Sequence, residues 1–142
     1  MDEKEFILKI YLRTNKKERF YISLLSYIIL ILYLIYTIFI NIRIFIYSII
    51  ILIISYIIKE IVKKERPIDL FDNERNVFID NYSFPSIHTI LSIFLFLSFI
   101  KNPIFYPILI VPILRILSLR HWISDIIYSS IISILIYIIT IV

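Results

Sequence analysis

FYISLLSYIILILYLIYTIFINIRIFIYSIIILIISYIIKEIV, residues 20–62, carries formal charge at Arg43, Lys59 and Glu60 alone. Residues 20–41 form an uncharged run long enough to cross a hydrocarbon core about 30 Å thick at about 1.5 Å per residue. Asn41 and Arg43 make a tight polar turn, and residues 44–62 lead back across. Two apolar runs joined so briefly read as antiparallel membrane helices.

The rest of the chain has the same bias. Hydrophobic residues make up 61% of 142 positions, and the mean hydropathy is +0.94. Soluble domains are about 45–50% apolar, and a core of this size cannot hide such an excess from water. Ahead of the quoted stretch, residues 1–19 mix charge with Phe6, Ile7, Leu8, Ile10, Tyr11 and Leu12. That patch is too short to span and has the wrong flanks for a signal peptide, so it reads as an interfacial helix. After it, the second helix runs through Lys59-Glu60-Ile61-Val62-Lys63-Lys64-Glu65-Arg66 to a stop at Pro67, giving bounds of 44–66.

Residues 68–84 form a polar loop whose carboxylates, Asp69, Asp72, Glu74 and Asp80, read as solvated. Pro85-Ser86 opens a third helix over 86–100, with Ser86 as its N-cap or first-turn residue. Lys101-Asn102-Pro103 turns into a fourth over 104–117, kinked by Pro107 and Pro112. A fifth covers 122–142, with Trp122 at the interface. The expected fold is all-α: an integral membrane helix bundle of about five transmembrane helices with a short N-terminal interfacial helix, in a single domain 1–142.

Several function classes recede on composition. The net charge of +4 lies outside the apolar runs, which fits headgroup contact and not nucleic-acid binding. Without Cys there is no disulfide, thiol nucleophile or Cys metal site. Without Gly or Ala, serine is the main small residue left for close helix packing, so Ser23, Ser26, Ser48, Ser55, Ser92, Ser98, Ser129, Ser130 and Ser133 read as interhelix contacts. A channel would need polar residues along helix faces at mid-membrane, and the helix centres are apolar.

Chemistry gathers at one membrane face. Following the helices back and forth puts Lys59, Arg66, Ser86, His88, Arg115, His121 and Asp125 at the same boundary. On a helix, Lys59 and Arg66, seven apart, share a face two turns long and can converge on one anion. Ser86, Ile87 and His88 fall in a first turn, where unpaired N–H groups and the dipole favour phosphate. His121 and Asp125, four apart, can touch on a helix. A carboxylate on one imidazole nitrogen would fix the tautomer and leave the other nitrogen free to attack. Each piece alone has a duller reading: interfacial anchors for the cations, Lys63 and Lys64 included, and an ordinary polar pair for His121 and Asp125. Their joint occurrence outweighs these readings.

The pattern Lys59-x6-Arg66-Pro67, Pro85-Ser86-Ile87-His88 and Arg115-x5-His121-x3-Asp125 resembles the three-part signature of the type 2 phosphatidic acid phosphatase superfamily, membrane lipid phosphatases related to vanadium haloperoxidases. The resemblance spans residues 59–125. It implies a phosphohistidine on His121, Asp125 as its orienting partner, and His88 as general acid for the leaving alcohol. Lys59, Arg66, Ser86, Ile87 and Arg115 would bind the phosphoryl oxygens, with no metal and no cofactor. The implied partners are a lipid phosphate substrate (phosphatidic acid, a polyprenyl diphosphate or phosphatidylglycerophosphate) and membrane lipids; oligomeric state is left open.

Two departures stand out. Ile87 takes the place of the usual glycine, where it is expected to crowd the pocket, and Leu114 that of a serine, at a cost of about one hydrogen bond. They keep a second reading in play, a weakly active or inactive protein on the same scaffold that binds lipid headgroups. The site's side of the cell membrane is also open. The superfamily's site usually faces outward, but Lys and Arg count 13 on the site face against Arg43 and Lys101 opposite. The positive-inside rule gives a slight preference to the cytoplasm.

Overall fold

The computed structural model describes residues 2–71 and 82–141, so Asp72, Asn73, Glu74, Asp80 and Asn81 of the expected polar loop lie outside the described residues. Six α-helices run in order: α1 (Glu3–Arg13), α2 (Lys16–Ile40), α3 (Ile42–Val62), α4 (Ile87–Ser98), α5 (Ile110–Leu117) and α6 (Ile123–Ile141). Two 3-10 segments, Pro67–Leu70 and Pro103–Leu109, precede α4 and α5, and there is no strand among the described residues.

Local chemistry sets the helix ends. Asn15 and Glu18 form a reciprocal capping box: the Asn15 side chain accepts from Glu18 N at 2.9 Å, and the Glu18 carboxylate accepts from Asn15 N at 2.8 Å. Two orphan donors are satisfied, so α2 starts before the uncharged run does. Asn41 serves two helices. Its N–H donates to Thr37 O at the end of α2, and its side chain accepts from Arg43 N and Ile44 N at the start of α3.

The second helix stops sooner than Pro67 alone would require. Lys63 adopts a left-handed conformation, φ 50°, and closes α3 at Val62, so the expected helix to residue 66 is four residues too long. Leu119, φ 56°, is the other described residue in that region. It follows α5 in a Schellman turn, with Arg120 N bonded to Arg115 O at 3.1 Å and Leu119 N to Ile116 O at 2.9 Å. Glycine normally fills such positions, and this chain has none. Leu119 is compensated by full burial against Ile7, Ile10 and Ile68, whereas Lys63 is exposed. Lys63→Gly should therefore stabilise the fold by about 1 kcal/mol, the usual left-handed penalty less glycine's extra unfolded-state entropy. Chemical denaturation in detergent measures this, and an unchanged or lower midpoint contradicts it.

The core is built around α4. Ile90, Leu91, Phe94 and Leu95 are buried there with Leu30, Ile51, Phe105, Ile108 and Val111. The helix packs against α2, α3, α5, α6 and the segment Pro103–Leu109. Serine supplies close contacts, as expected: Ser133 Oγ of α6 donates to Ile90 O of α4 at 2.8 Å. The outer faces of α2, α3 and α6 are lined by exposed isoleucine, leucine and phenylalanine, Phe39 being 81% exposed.

Among the described residues three helices are long and apolar enough to cross a membrane: Lys16–Ile40, the stretch Ile42–Leu70 that contains α3, and Ile123–Ile141. The expected count of about five is not reached on length. The 12 residues of α4 rise about 18 Å, short of a core about 30 Å thick. The fourth expected helix is divided, because Pro107 lies within a 3-10 segment that becomes α-helical only at Ile110. The expected kink is thus a change of helix type.

α1 lies across the end of the bundle where α3 stops and α6 starts. Ile7 and Ile10 pack on Ile68 and Leu119, with Tyr11 stacked on Phe71. Its Glu3 carboxylate accepts from Ser124 N at 2.8 Å and Ser124 Oγ at 3.3 Å. A carboxylate at the first turn of α6 satisfies an orphan donor and complements the helix dipole.

Candidate active site

Burial and charge single out the end of the bundle beneath α1. His121 and Arg115 are fully buried, and Lys59, Arg66 and His88 nearly so. The charges of Arg115, Lys59 and Arg66 act on both imidazoles. The structure therefore gathers Lys59 from the end of α3, Arg66 from the loop after it, His88 from α4, Arg115 from α5 and His121 from the α5–α6 turn. Lys59 and Arg66 meet there by a different route from the one expected. Arg66 is off the helix, heading the Pro67–Leu70 segment, where its N–H donates to Asp69 Oδ2 at 3.0 Å.

His121 is held at both nitrogens. Nδ1 lies 2.5 Å from the Ser83 carbonyl oxygen, and Nε2 lies 3.4 Å from Arg115 Nη2. A carbonyl can only accept, so Nδ1 carries the proton and Nε2 keeps its lone pair. Arg115 is pinned in turn: Nη1 donates to Ser23 Oγ at 3.1 Å and Ser26 Oγ at 3.3 Å, and its guanidinium lies over the Tyr27 ring at 5.2 Å.

The expected His121–Asp125 pair does not form. α6 begins at Ile123, so His121 precedes the helix and the four-residue spacing no longer puts the two side chains on one face. Asp125, also fully buried, accepts from Trp122 N at 3.1 Å and from Lys64 Nζ at 2.5 Å. Its link to His121 is indirect. Lys64 O accepts from Ser83 N at 2.8 Å, and the Ser83 carbonyl orients the imidazole. Lys64, read from sequence as a headgroup anchor, is thus part of the frame of the site.

The start of α4 also differs in detail. Ser86 is the N-cap, but its side chain does not cap the helix: Oγ bonds with Thr89 Oγ1 at 2.9 Å, and its N–H donates to Ser129 Oγ at 2.8 Å. Ile87 is the first helical residue, and its partly buried side chain packs against the apolar core. His88 is 5% exposed and has no hydrogen-bond partner at either ring nitrogen among the described residues. Tyr27 meets its ring edge-on at 4.3 Å.

As site residues, Ser23, Ser26, Tyr27, Lys64 and Ser83 go unmarked in the sequence reading, which gives Ser23 and Ser26 to interhelix contact and Lys64 to headgroup anchoring. The first three had a usable signal, since positions i, i+3 and i+4 lie on one face of α2. Nothing in the chain's spacing foretold Ser83, because a backbone carbonyl leaves no mark on residue type.

His121 lies outside the candidate spans, and burial, then Arg115, Lys59, Arg66 and His88, hold its imidazole well below the usual histidine range. The folded state thus refuses a proton that the unfolded chain accepts below about pH 6.5. The associated stability is complete above that pH and is lost as pH falls. In 15N NMR of labelled protein, His121 should remain neutral at pH 6, and a midpoint at or above 6.5 contradicts this.

A family model described as the PAP2 superfamily matches residues 27–142. No curated protein and no solved structure matches the chain.

Proposed function

The chain belongs to the PAP2 superfamily, which supports a phosphatase acting on phosphate esters, and from that premise we propose a membrane-embedded lipid phosphate phosphatase that works through a phosphohistidine at His121. The observation that carries this reading is the pair of contacts on His121, which pins the proton on Nδ1 and aims the Nε2 lone pair at the Arg115 guanidinium. A nucleophilic nitrogen facing a buried cation suits attack on a phosphorus atom whose oxygens that cation holds.

In this mechanism Arg115, Lys59 and Arg66 bind the phosphoryl oxygens, assisted by N–H groups of the first turn of α4 at Ile87 and His88. Nε2 of His121 attacks phosphorus and the bond to the ester oxygen breaks. His88 delivers a proton to that oxygen, and the alcohol leaves. Water then attacks the phosphohistidine, with His88 accepting its proton, and phosphate departs. Asp125 is a positioning residue that acts through Lys64 and Ser83. The charge stabilisation comes from the chain's own cations, so turnover should not depend on an added metal.

The apolar outer faces and the position of the histidines at one end of the bundle favour an amphiphile whose phosphate sits at headgroup depth. In a membrane, α2, α3 and α6 cross directly. α4 and the divided segment Pro103–Leu117 complete five passes, α4 being surrounded by its neighbours and so freed from matching the bilayer thickness. α1 lies at the site end, which keeps its basic residues within the charge asymmetry already counted and favours a site on the cytoplasmic side.

The test is phosphate release by purified protein from phosphatidic acid, polyprenyl diphosphate and phosphatidylglycerophosphate, with EDTA present, beside trapping of labelled phosphoprotein by acid-free quenching. Chelator-resistant release, and a base-stable, acid-labile label absent from His121→Ala, are expected. Release without any trappable label on rapid quenching, or a label that persists in the variant, overturns the phosphohistidine assignment. Inactivity on every lipid overturns the substrate class.

A further inference from the structure

A second cluster of cations lies apart from the histidines. A cavity of about 660 Å³ opens between the start of α2 and the α5–α6 turn, lined by Lys16, Lys17, Arg19 and Arg120 together with Phe20 and Tyr21. None of the described residues lining it is acidic, and none belongs to the histidine constellation. Its volume falls within the range of ordinary small-molecule sites.

We propose that this cavity binds the phosphate-bearing headgroup of an anionic membrane lipid, at a site separate from the reacting centre. Arg19 and Arg120 are 6% and 8% exposed, so these guanidinium groups sit in the protein and not in the headgroup layer at large. Arg19 is already ordered, donating from Nη1 to Thr14 O at 2.6 Å and lying over the Tyr11 ring at 4.9 Å. Lys16, Lys17 and Arg19 occupy the first turn of α2.

The occupant is a lipid and not a free anion because of what continues from the cavity. Phe20 and Tyr21 are 41% and 58% exposed at its edge, and the exposed side chains of Leu24, Leu25 and Ile28 extend the same helix toward the bilayer interior. A headgroup among the four cations thus leaves its acyl chains against apolar protein surface.

The test uses phosphatidylglycerol, a phosphodiester, so that binding is read without turnover and independently of any phosphatase activity. Retention of this lipid is measured by native mass spectrometry of the full chain from phosphatidylcholine nanodiscs with graded phosphatidylglycerol. Preferential retention is expected in the wild type. Lys16→Gln with Lys17→Gln should weaken it roughly thirtyfold, at about fivefold per cation near an anionic surface, while Lys16→Arg with Lys17→Arg keeps it. Lys4→Gln with Arg13→Gln removes equal charge from exposed positions of α1 outside the cavity and should change retention little. An equal loss in that control means diffuse attraction and overturns the site. So does wild-type retention in the Lys16→Gln, Lys17→Gln variant, or retention no better than that of phosphatidylcholine. Displacement of the lipid by millimolar inorganic phosphate would assign the cavity to a free anion and overturn the lipid.

Discussion

His121→Ala should lower phosphate release by about 10⁴-fold or more, the scale seen when a covalent nucleophile is removed from a site whose other groups remain. Lys59, Arg66 and Arg115 are cations that hold charge and do not attack, and in the proposed mechanism His88 serves the leaving group. The loss should fall on kcat for every lipid tested, since the group acts on phosphorus and not on the chain. His121→Asn is the companion variant, because its amide can still donate to the Ser83 carbonyl and support the turn. If both variants unfold at the wild-type midpoint and are equally inactive, the missing group is the lone pair. Retention of more than about a tenth of wild-type activity by either contradicts the assignment.

His88→Ala should lower turnover of a lipid phosphate by about 10²–10⁴-fold, the usual range for a positioned general acid. The effect depends on the leaving group. A lipid alcohol must gain a proton to depart, whereas p-nitrophenolate does not, so the variant should approach wild-type rates of phosphoenzyme formation on p-nitrophenyl phosphate. The imidazole suits this role because neither ring nitrogen is engaged by any described residue. Equal losses on both substrates would make His88 a binding group and remove it from the proton transfer.

Much of this site could be read from residue order. Following the apolar helices back and forth returns the chain to one end of the bundle at Lys59, His88, Arg115 and His121. Contacts proved less legible. Lys59–Arg66 and His121–Asp125 both read as pairs sharing a helix, and neither shares one: Lys59 and Arg66 reach the site from different elements, and His121 and Asp125 do not bond. α3 closes at Lys63 in a left-handed turn that no glycine announces, and α6 opens only after His121. Helix termini depend on small local energies, so an error of a few residues there changes which side chains meet.

Ile87 teaches a related lesson. Judged by residue type, Ile87 was an obstruction beside the acid. In the folded chain its partly buried side chain packs against the apolar core.

The amino-acid order alone settles the all-helical class, the apolar exterior and the gathering of cations and imidazoles at one end, because hydropathy and helix direction are properties of long segments averaged over many residues. Folding decides the partners: Ser83 in place of Asp125 on His121, Lys64 on Asp125, Ser23 and Ser26 on Arg115. It also decides the length of α4, a short helix enclosed by its neighbours at the centre of the core. These depend on where helices stop and on backbone groups common to every residue, and hydrogen bonds are made by position in space and not by order in the chain.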